Sequence, residues 1–305
     1  MKRLVILGAK ESGTGAAILA KEKGFDVFVS DLNAIDPFYK NELDELKIAY
    51  EEEGHSEERI LSADVVVKSP GIPDKVPLIK KLKEKGVEII SEIEFAGRYT
   101  DSTIIAITGS NGKSTTTTMT YEILKKGGLN VGLAGNIGYS FARQVARESF
   151  SHYVLELSSF QLDGIVNFRP DIAVLLNITP DHLDRYEYQF ENYVQSKFRI
   201  AMNQTADDHF IYNIDDEVIT KYLDDNPVQS RTYQFSLEKE YLNQGAYKLQ
   251  NQVMYKGINH AFDICISDLK QKGLHNVFNS MAAGIAGSIL DIKSETIRDC
   301  LYNFN

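Results

Sequence analysis

Apolar positions along the chain fall in short unbroken runs, separated by longer mixed segments of helical character. The first run, residues 4–7, enters a glycine-bearing turn, Gly8 and then Glu11-Ser12-Gly13-Thr14-Gly15; a helix follows to about Lys23, where Gly24 stops it. Residues 27–30 form the next strand, closing on Asp31. Residues 65–67 lead into the turn Ser69-Pro70-Gly71-Ile72-Pro73, residues 78–85 read as a helix and residues 87–90 as a strand. Strands alternating with helices across short turns predict a parallel, doubly wound sheet.

The pattern restarts at the run Ile104-Ile105-Ala106-Ile107, which places a domain boundary near residues 98–102. Strands are expected at 153–157, 172–178 and 210–213, with a helix over 190–203. From 228 to 266 the texture changes to alternating apolar residues (Tyr233, Phe235, Tyr247, Leu249, Val253, Tyr255, Phe262, Ile264), which suggests short antiparallel strands beside the main sheet. Residues 275–290 read as a buried helix. The expected class is therefore α/β: a Rossmann-like parallel N-terminal domain (1–98), then a P-loop-type α/β central domain (99–305) with a small antiparallel side sheet.

Composition narrows the function classes. The 305 residues suffice for about two domains, and 43% hydrophobic with 25% charged residues is the balance of a soluble globular chain. A net charge of −10 argues against a general nucleic-acid or anionic-membrane surface, though not against nucleotides held by local loops. Cys265 and Cys300 are the only cysteines, so a disulfide framework is not expected and a reducing cytoplasm fits. No apolar run is long enough to span a bilayer, and the N-terminal run is too brief for a signal peptide.

The candidate chemistry begins with Thr108-Gly109-Ser110-Asn111-Gly112-Lys113-Ser114-Thr115. An apolar strand, a glycine turn, Lys and hydroxyls, then a helix is the order a phosphate-binding loop requires. Glycines let N–H groups approach an anion, the helix N-terminus adds partial positive charge, Lys113 neutralises phosphate oxygens, and Ser114 or Thr115 can ligate Mg²⁺. The common P-loop has four residues between its glycines; here there are two, and Ile107 stands where the first glycine would. The earlier cluster Gly8-Ala9-Lys10-Glu11-Ser12-Gly13, with Asp31 ending the second strand, resembles a dinucleotide fingerprint, but Lys10 replaces the middle glycine. Tight helix–sheet packing and a nucleotide diphosphate in altered geometry both remain open for it.

Further residues gather after later strands. Glu156 ends an apolar strand where Mg²⁺ would need oxygen ligands, and a salt-bridged or capping role is the alternative. Asn177-Ile178-Thr179-Pro180-Asp181-His182-Leu183-Asp184-Arg185-Tyr186 follows another strand at the active edge, yet His182 alone reads more readily as a satisfied loop histidine than as a ligand. Lys197 alone would lie on a solvated helix face, Gly135-Asn136-Ile137-Gly138 is a turn, and Asn276 could simply cap a helix.

Taken in order, the phosphate loop, Gly135–Gly138, Leu155-Glu156-Leu157-Ser158-Ser159-Phe160-Gln161-Leu162, Asn177–Tyr186 and His275-Asn276-Val277-Phe278-Asn279 resemble the Mur ligases over the whole chain. Within that family, the Ser-Ser-Phe-Gln run and the Asp-Arg-Tyr ending look like the member that adds D-glutamate to UDP-N-acetylmuramoyl-L-alanine. The resemblance implies ATP-dependent amide synthesis through an acyl phosphate in cytoplasmic peptidoglycan precursor assembly, by a monomer without nucleic-acid or membrane partners. It implies ATP contacts at Gly109, Ser110, Asn111, Gly112, Lys113, Ser114 and Thr115, with Asn276 and Asn279 on the adenine side. It implies catalytic roles for Lys113, Glu156, His182 and Lys197, with Mg²⁺ on Ser114, Glu156, His182 and a carbamylated Lys197. The UDP-substrate is then gripped by Glu11, Ser12, Gly13, Asp31, Leu32, Asn33, Ser69 and Gly71, and its muramoyl-alanine arm by Asn136, Ser158, Gln161 and His182. The family has a third domain, so a chain ending at Asn305 is expected to bind the UDP-sugar but turn over negligibly. Three alternatives stay open: a sibling ligase of the Mur or folylpolyglutamate type, a nucleotide-binding module without ligation activity, and an NAD-dependent oxidoreductase.

Overall fold

The computed structural model describes residues 2–257 and 261–304. Contacts divide the chain into two compact units. The first holds Met1–Asp101, Ala134–Ser149 and Phe160–Phe168; the second holds Ser102–Leu133, Phe150–Ser159 and Arg169–Asn305. The first unit is thus not one continuous stretch, because two of its segments come from sequence that the reading above assigns to the domain 99–305.

In the first unit, β1 (Arg3–Leu7), β2 (Asp26–Ser30), β3 (Ala49–Glu51), β4 (Val65–Lys68) and β5 (Glu88–Ile90) form a wholly parallel sheet of order β3-β2-β1-β4-β5. The helices between them are α1 (Glu11–Glu22), α2 (Pro37–Glu45), α3 (Glu57–Leu61) and α4 (Pro77–Glu84), and α5 (Glu92–Gly97) follows β5. Leu4–Leu7 are buried because the strand is covered on both faces, as its unbroken apolar run requires. α2 starts where the Asp36 carboxylate accepts from the Phe38 N–H and Pro37 takes the first helical position.

The second sheet is built from β6 (Thr103–Thr108), β7 (Val131–Gly135), β8 (His152–Glu156), β9 (Ile172–Leu175), β10 (His209–Asn213), β11 (Arg231–Ser236), β12 (Gly245–Leu249), β13 (Gln252–Lys256) and β14 (Phe262–Cys265). Its order is β14-β13-β12-β11-β10-β9-β6-β8-β7, so the phosphate-loop strand β6 lies between β8 and β9. The helices of this part of the chain are α6 (Lys113–Lys126), α7 (Phe141–Arg147), α8 (Ser159–Leu162), α9 (Phe190–Phe198), α10 (Glu217–Asp225), α11 (Leu274–Ile289) and α12 (Ser294–Asn303). α11 carries Val277, Met281 and Ile285 into a core shared with Met119 and Ile123 of α6.

Two expectations are refined. The small antiparallel side sheet is a continuation of the main sheet: β11 and β12 join in parallel, and β12–β13 and β13–β14 are antiparallel. Apolar alternation reports burial of one face, which an edge extension and a separate sheet share. Residues 258–260 of that region lie outside the described residues. The strand expected over 172–178 ends at Leu175, because the following backbone turns to bind the phosphate loop.

Candidate active site

In the second unit, β6 delivers its chain to Gly109 and α6 begins at Lys113. Gly112 has φ of +81°, a left-handed conformation that costs a residue with Cβ strain, and an added Cβ would also press on the Asn279 amide. The loop is held from the side by residues after β9. The Ser110 N–H donates to the Asn177 carbonyl (2.9 Å), the Asn111 N–H to Asn177 Oδ1 (2.8 Å), and Asn177 Nδ2 to the Asn111 carbonyl (3.0 Å). Ser110 Oγ accepts from the Thr179 N–H at 2.9 Å and lies 3.1 Å from the Tyr193 hydroxyl. Such bonds preorganise the loop, so less ordering is needed when an anion binds.

Two lysines meet at one atom of this loop. Lys113 Nζ donates to the Gly109 carbonyl at 2.9 Å, and Lys197 Nζ donates to the same oxygen at 2.8 Å. Lys197, expected on a solvated face if taken alone, is only 2% exposed on α9 and also donates to Thr108 Oγ1. Burial pushes the Lys113 ammonium below its ordinary range, while the charges of Glu156 and Asp181 act in the opposite direction. Two ammonium groups converging in a buried place favour an anion nearby, or the loss of a proton from one of them.

Glu156 places a carboxyl group beside the loop. It ends β8 in register with Ile107 of β6 and is 1% exposed. A buried carboxylate beside the phosphate loop, with the Ser114 hydroxyl at the start of α6, is an oxygen-donor set of the kind Mg²⁺ takes together with phosphate oxygens. Among the described residues, no three His, Cys, Asp or Glu side chains converge as a metal cluster. His182 lies in a left-handed turn (φ 50°) ahead of the short helical turn Leu183–Arg185, half exposed and 3.5 Å from the Asp181 carboxylate. Asn276 and Asn279 are buried one turn apart on α11 and hydrogen-bonded to each other at 3.2 Å.

In the first unit, Gly8, Asp31 and Ser69 follow β1, β2 and β4 at the carboxyl edge of the sheet, where ligands of open parallel sheets bind. The Asp31 carboxylate accepts from the N–H groups of Ala9 (2.7 Å) and Asn33 (2.9 Å), tying the first loop to the third. Leu32 is exposed beside it. Ser12 and Gly13 open α1, and Gly71 lies in the turn after Ser69. Asn136 and Gln161 belong to this unit, whereas Ser158 and His182 belong to the second. Glu11 is engaged within its own unit: it accepts from the Ser140 N–H (2.9 Å) and from Arg143 Nε (2.9 Å).

Comparison with known proteins now decides the family. The family model described as the Mur ligase middle domain matches residues 107–287, and that described as the MurD N-terminal domain matches residues 4–76. The chain belongs to the Mur ligase family. UDP-N-acetylmuramoylalanine--D-glutamate ligase of Bacteroides fragilis is 56% identical over 304 residues, covering 100% of this chain and 68% of that protein. The enzyme of that name from Christiangramia forsetii is 53% identical over 304 residues, covering 99% and 68%. Among solved structures, a UDP-N-acetylmuramate:L-alanyl-gamma-D-glutamyl-meso-diaminopimelate ligase from Neisseria meningitides superposes with a TM-score of 0.69 at 20% identity, covering 100% of this chain and 98% of that one. UDP-N-acetylmuramate-alanine ligase from Thermotoga maritima gives 0.61 at 20% identity, covering 100% and 69%; these two likenesses speak for the fold.

For this Mur ligase chain, the second unit brings together the loop residues Gly109–Thr115, Glu156, Lys197 and Asn279. The motif reading named Asn177 and Thr179 within the run after β9 without giving either a role; they clamp the loop, and Tyr193, which that reading did not name, closes on Ser110. A polar Asn-x-Thr directly after a buried strand was the available signal. No helix among the described residues is long and apolar enough to cross a membrane.

Proposed function

We propose that this chain carries the nucleotide-binding and substrate-binding machinery of the ligase that joins D-glutamate to UDP-N-acetylmuramoyl-L-alanine, working in the cytoplasm with ATP and Mg²⁺. The observation that carries the reading is the convergence of Lys113 and Lys197 on the Gly109 carbonyl beside the buried carboxylate of Glu156. A carboxylate is a poor electrophile, so amide synthesis requires activation. The γ-phosphoryl group passes from ATP to the L-alanyl carboxylate oxygen, giving an acyl phosphate and ADP. The D-glutamate amine then adds to the carbonyl carbon, and the tetrahedral adduct expels phosphate and loses a proton as the amide forms.

Phosphoryl transfer of this kind needs positioning and charge neutralisation more than a protein nucleophile. Lys113 and the loop N–H groups neutralise phosphate oxygens, and Asn276 and Asn279 orient the adenine. Ser114, Glu156 and His182 hold metal, which when bound draws charge off the transferring group. Lys197 joins them only if carbamylated, since an ammonium repels a cation whereas the carbamate offers an oxygen. In the first unit Ser12, Gly13, Asp31, Leu32, Asn33, Ser69 and Gly71 hold the uridine diphosphate, with Asn136 and Gln161 on the muramoyl-alanine arm. Titration calorimetry on the chain tests the reading. UDP-N-acetylmuramoyl-L-alanine should bind more tightly than UDP-N-acetylmuramate, and Lys113→Ala should weaken a non-hydrolysable ATP analogue by about 10–100-fold. Isotope-labelled bicarbonate should give a carbamate NMR signal absent in Lys197→Arg. Binding of a folate-type substrate in place of the UDP-sugar would sink the proposal.

A further inference from the structure

The short helix α5 holds two acidic residues where acidic residues are rarely found: Glu92 is 4% exposed and Glu94 is fully buried. Both lie in the first unit, and the proposed function assigns neither a part in binding ATP, metal or the uridine diphosphate. Each faces one of the two segments that this unit takes from later sequence. Glu92 meets the start of α7: Oε1 accepts from the Ala142 N–H at 2.6 Å, with the Ser140 hydroxyl and the Phe141 N–H also bonded to this carboxylate. Glu94 meets the other segment: its Oε2 accepts from three successive N–H groups, Val166 (2.8 Å), Asn167 (2.9 Å) and Phe168 (2.8 Å). Arg98 balances Glu94 from the opposite oxygen at 2.9 Å. Ser91, which caps α5, donates its N–H to the Gly164 carbonyl at 2.8 Å, and Gly164 is bonded back to Gln161.

The two held segments are those that carry Asn136 and Gln161. Ser140 lies just beyond the turn Gly135–Gly138, and Val166 lies just beyond α8. We infer that Ser91-Glu92-Ile93-Glu94 is a positioning device for the substrate arm, in which Glu92 sets the Asn136 turn and Glu94 sets Gln161. This rests on the proposed function, in which those two residues touch the muramoyl-alanine arm. A carboxylate oxygen is the one side-chain acceptor with the charge and lone pairs to hold three converging N–H groups. An amide in its place must turn its NH₂ either toward those donors or toward Arg98, and neither arrangement is satisfied. Glu92 and Glu94 therefore act through Asn136 and Gln161 without touching substrate.

The test compares two ligands on the chain and its variants Glu92→Gln and Glu94→Gln. UDP alone reports the uridine diphosphate grip, and UDP-N-acetylmuramoyl-L-alanine reports that grip plus the arm. At pH 8 each variant should lose about tenfold in affinity for the full ligand, the equivalent of one charge-assisted hydrogen bond network loosened, while UDP and a non-hydrolysable ATP analogue bind as before. Wild-type affinity of the variants for the full ligand overturns the inference. So does an equal loss for UDP and the full ligand, which would mean that α5 only supports the fold. If Glu94→Gln does not fold, Arg98→Gln removes the partner of the opposite oxygen together with the Arg98–Glu88 pair, Glu88→Gln serves as the control for that pair, and the same split between the two ligands decides. Failure of the wild-type chain to bind the full ligand is a different result, which overturns the functional reading and this inference with it.

Discussion

Glu92 shows what burial does to a single carboxylate. Desolvation is the largest influence on it and outweighs the hydrogen bonds from Ala142, Ser140 and Phe141, so its pKa rises from an ordinary 4.5 to about 7. Between those values the folded chain keeps a proton that the unfolded chain has released. The group's contribution to stability is therefore complete below pH 4.5 and is lost as pH rises through about 7. Glu42, Glu88 and Asp74 slope the other way at low pH, because their arginine and lysine partners hold them below the usual carboxylate range. Comparing Glu92→Gln with the wild type cancels those shared terms. In urea denaturation the variant should gain about 2–3 kcal/mol relative to wild type between pH 5 and pH 8. Superimposable pH dependences for the two proteins would refute the assignment.

At the scale of elements, what could be read from the sequence depended on where an element's reasons lie. β1 and β6 are unbroken apolar runs, and the chemistry of the phosphate loop is contained in eight consecutive residues, so both were legible. β3 has only three residues at the sheet edge and no apolar run to announce it. α5 hides its role because Glu92 and Glu94 look like solvated positions until their partners, 50 and 72–74 residues away, are in place. The bonds of Glu11 were hidden for the same reason: Ser140 and Arg143 are 129 and 132 residues distant. The contact of α1 with α7 makes this testable. A Cβ on Gly15 would overlap the Ser140 hydroxyl, which accepts from the Arg143 N–H at 3.0 Å and caps α7. Alanine is the better helix former by about 1 kcal/mol, yet overpacking against a cap costs more. Gly15→Ala should lower stability by about 2 kcal/mol in chemical denaturation. A neutral or stabilising substitution would show that α7 is not seated on α1 in this way.

At the scale of the whole molecule, the order of motifs along the chain is not the order of the units. The chain passes from the first unit to the second after Asp101, returns for Ala134–Ser149, and returns again for Phe160–Phe168. Asn136 and Gln161, although embedded in the sequence matched by the ligase middle-domain family, therefore share a unit with Asp31 and Gly71. Ligand linkage turns this membership into a measurement, because a ligand stabilises the body it binds by about 2.7 kcal/mol at a hundredfold excess over Kd. Hydrogen exchange on the chain with UDP-N-acetylmuramoyl-L-alanine should slow amides of residues 2–101 together with those of 134–149 and 160–168. A non-hydrolysable ATP analogue should instead slow amides of 109–118 and 276–280. Division at a single point in the sequence gives the opposite pattern, with 134–149 and 160–168 responding to the ATP analogue and indifferent to the UDP-sugar. Because Glu92 and Glu94 are the buried links to those two segments, the N–H groups that donate to them, those of Ala142 and Val166–Phe168, should be among the slowest to exchange once the sugar nucleotide is bound.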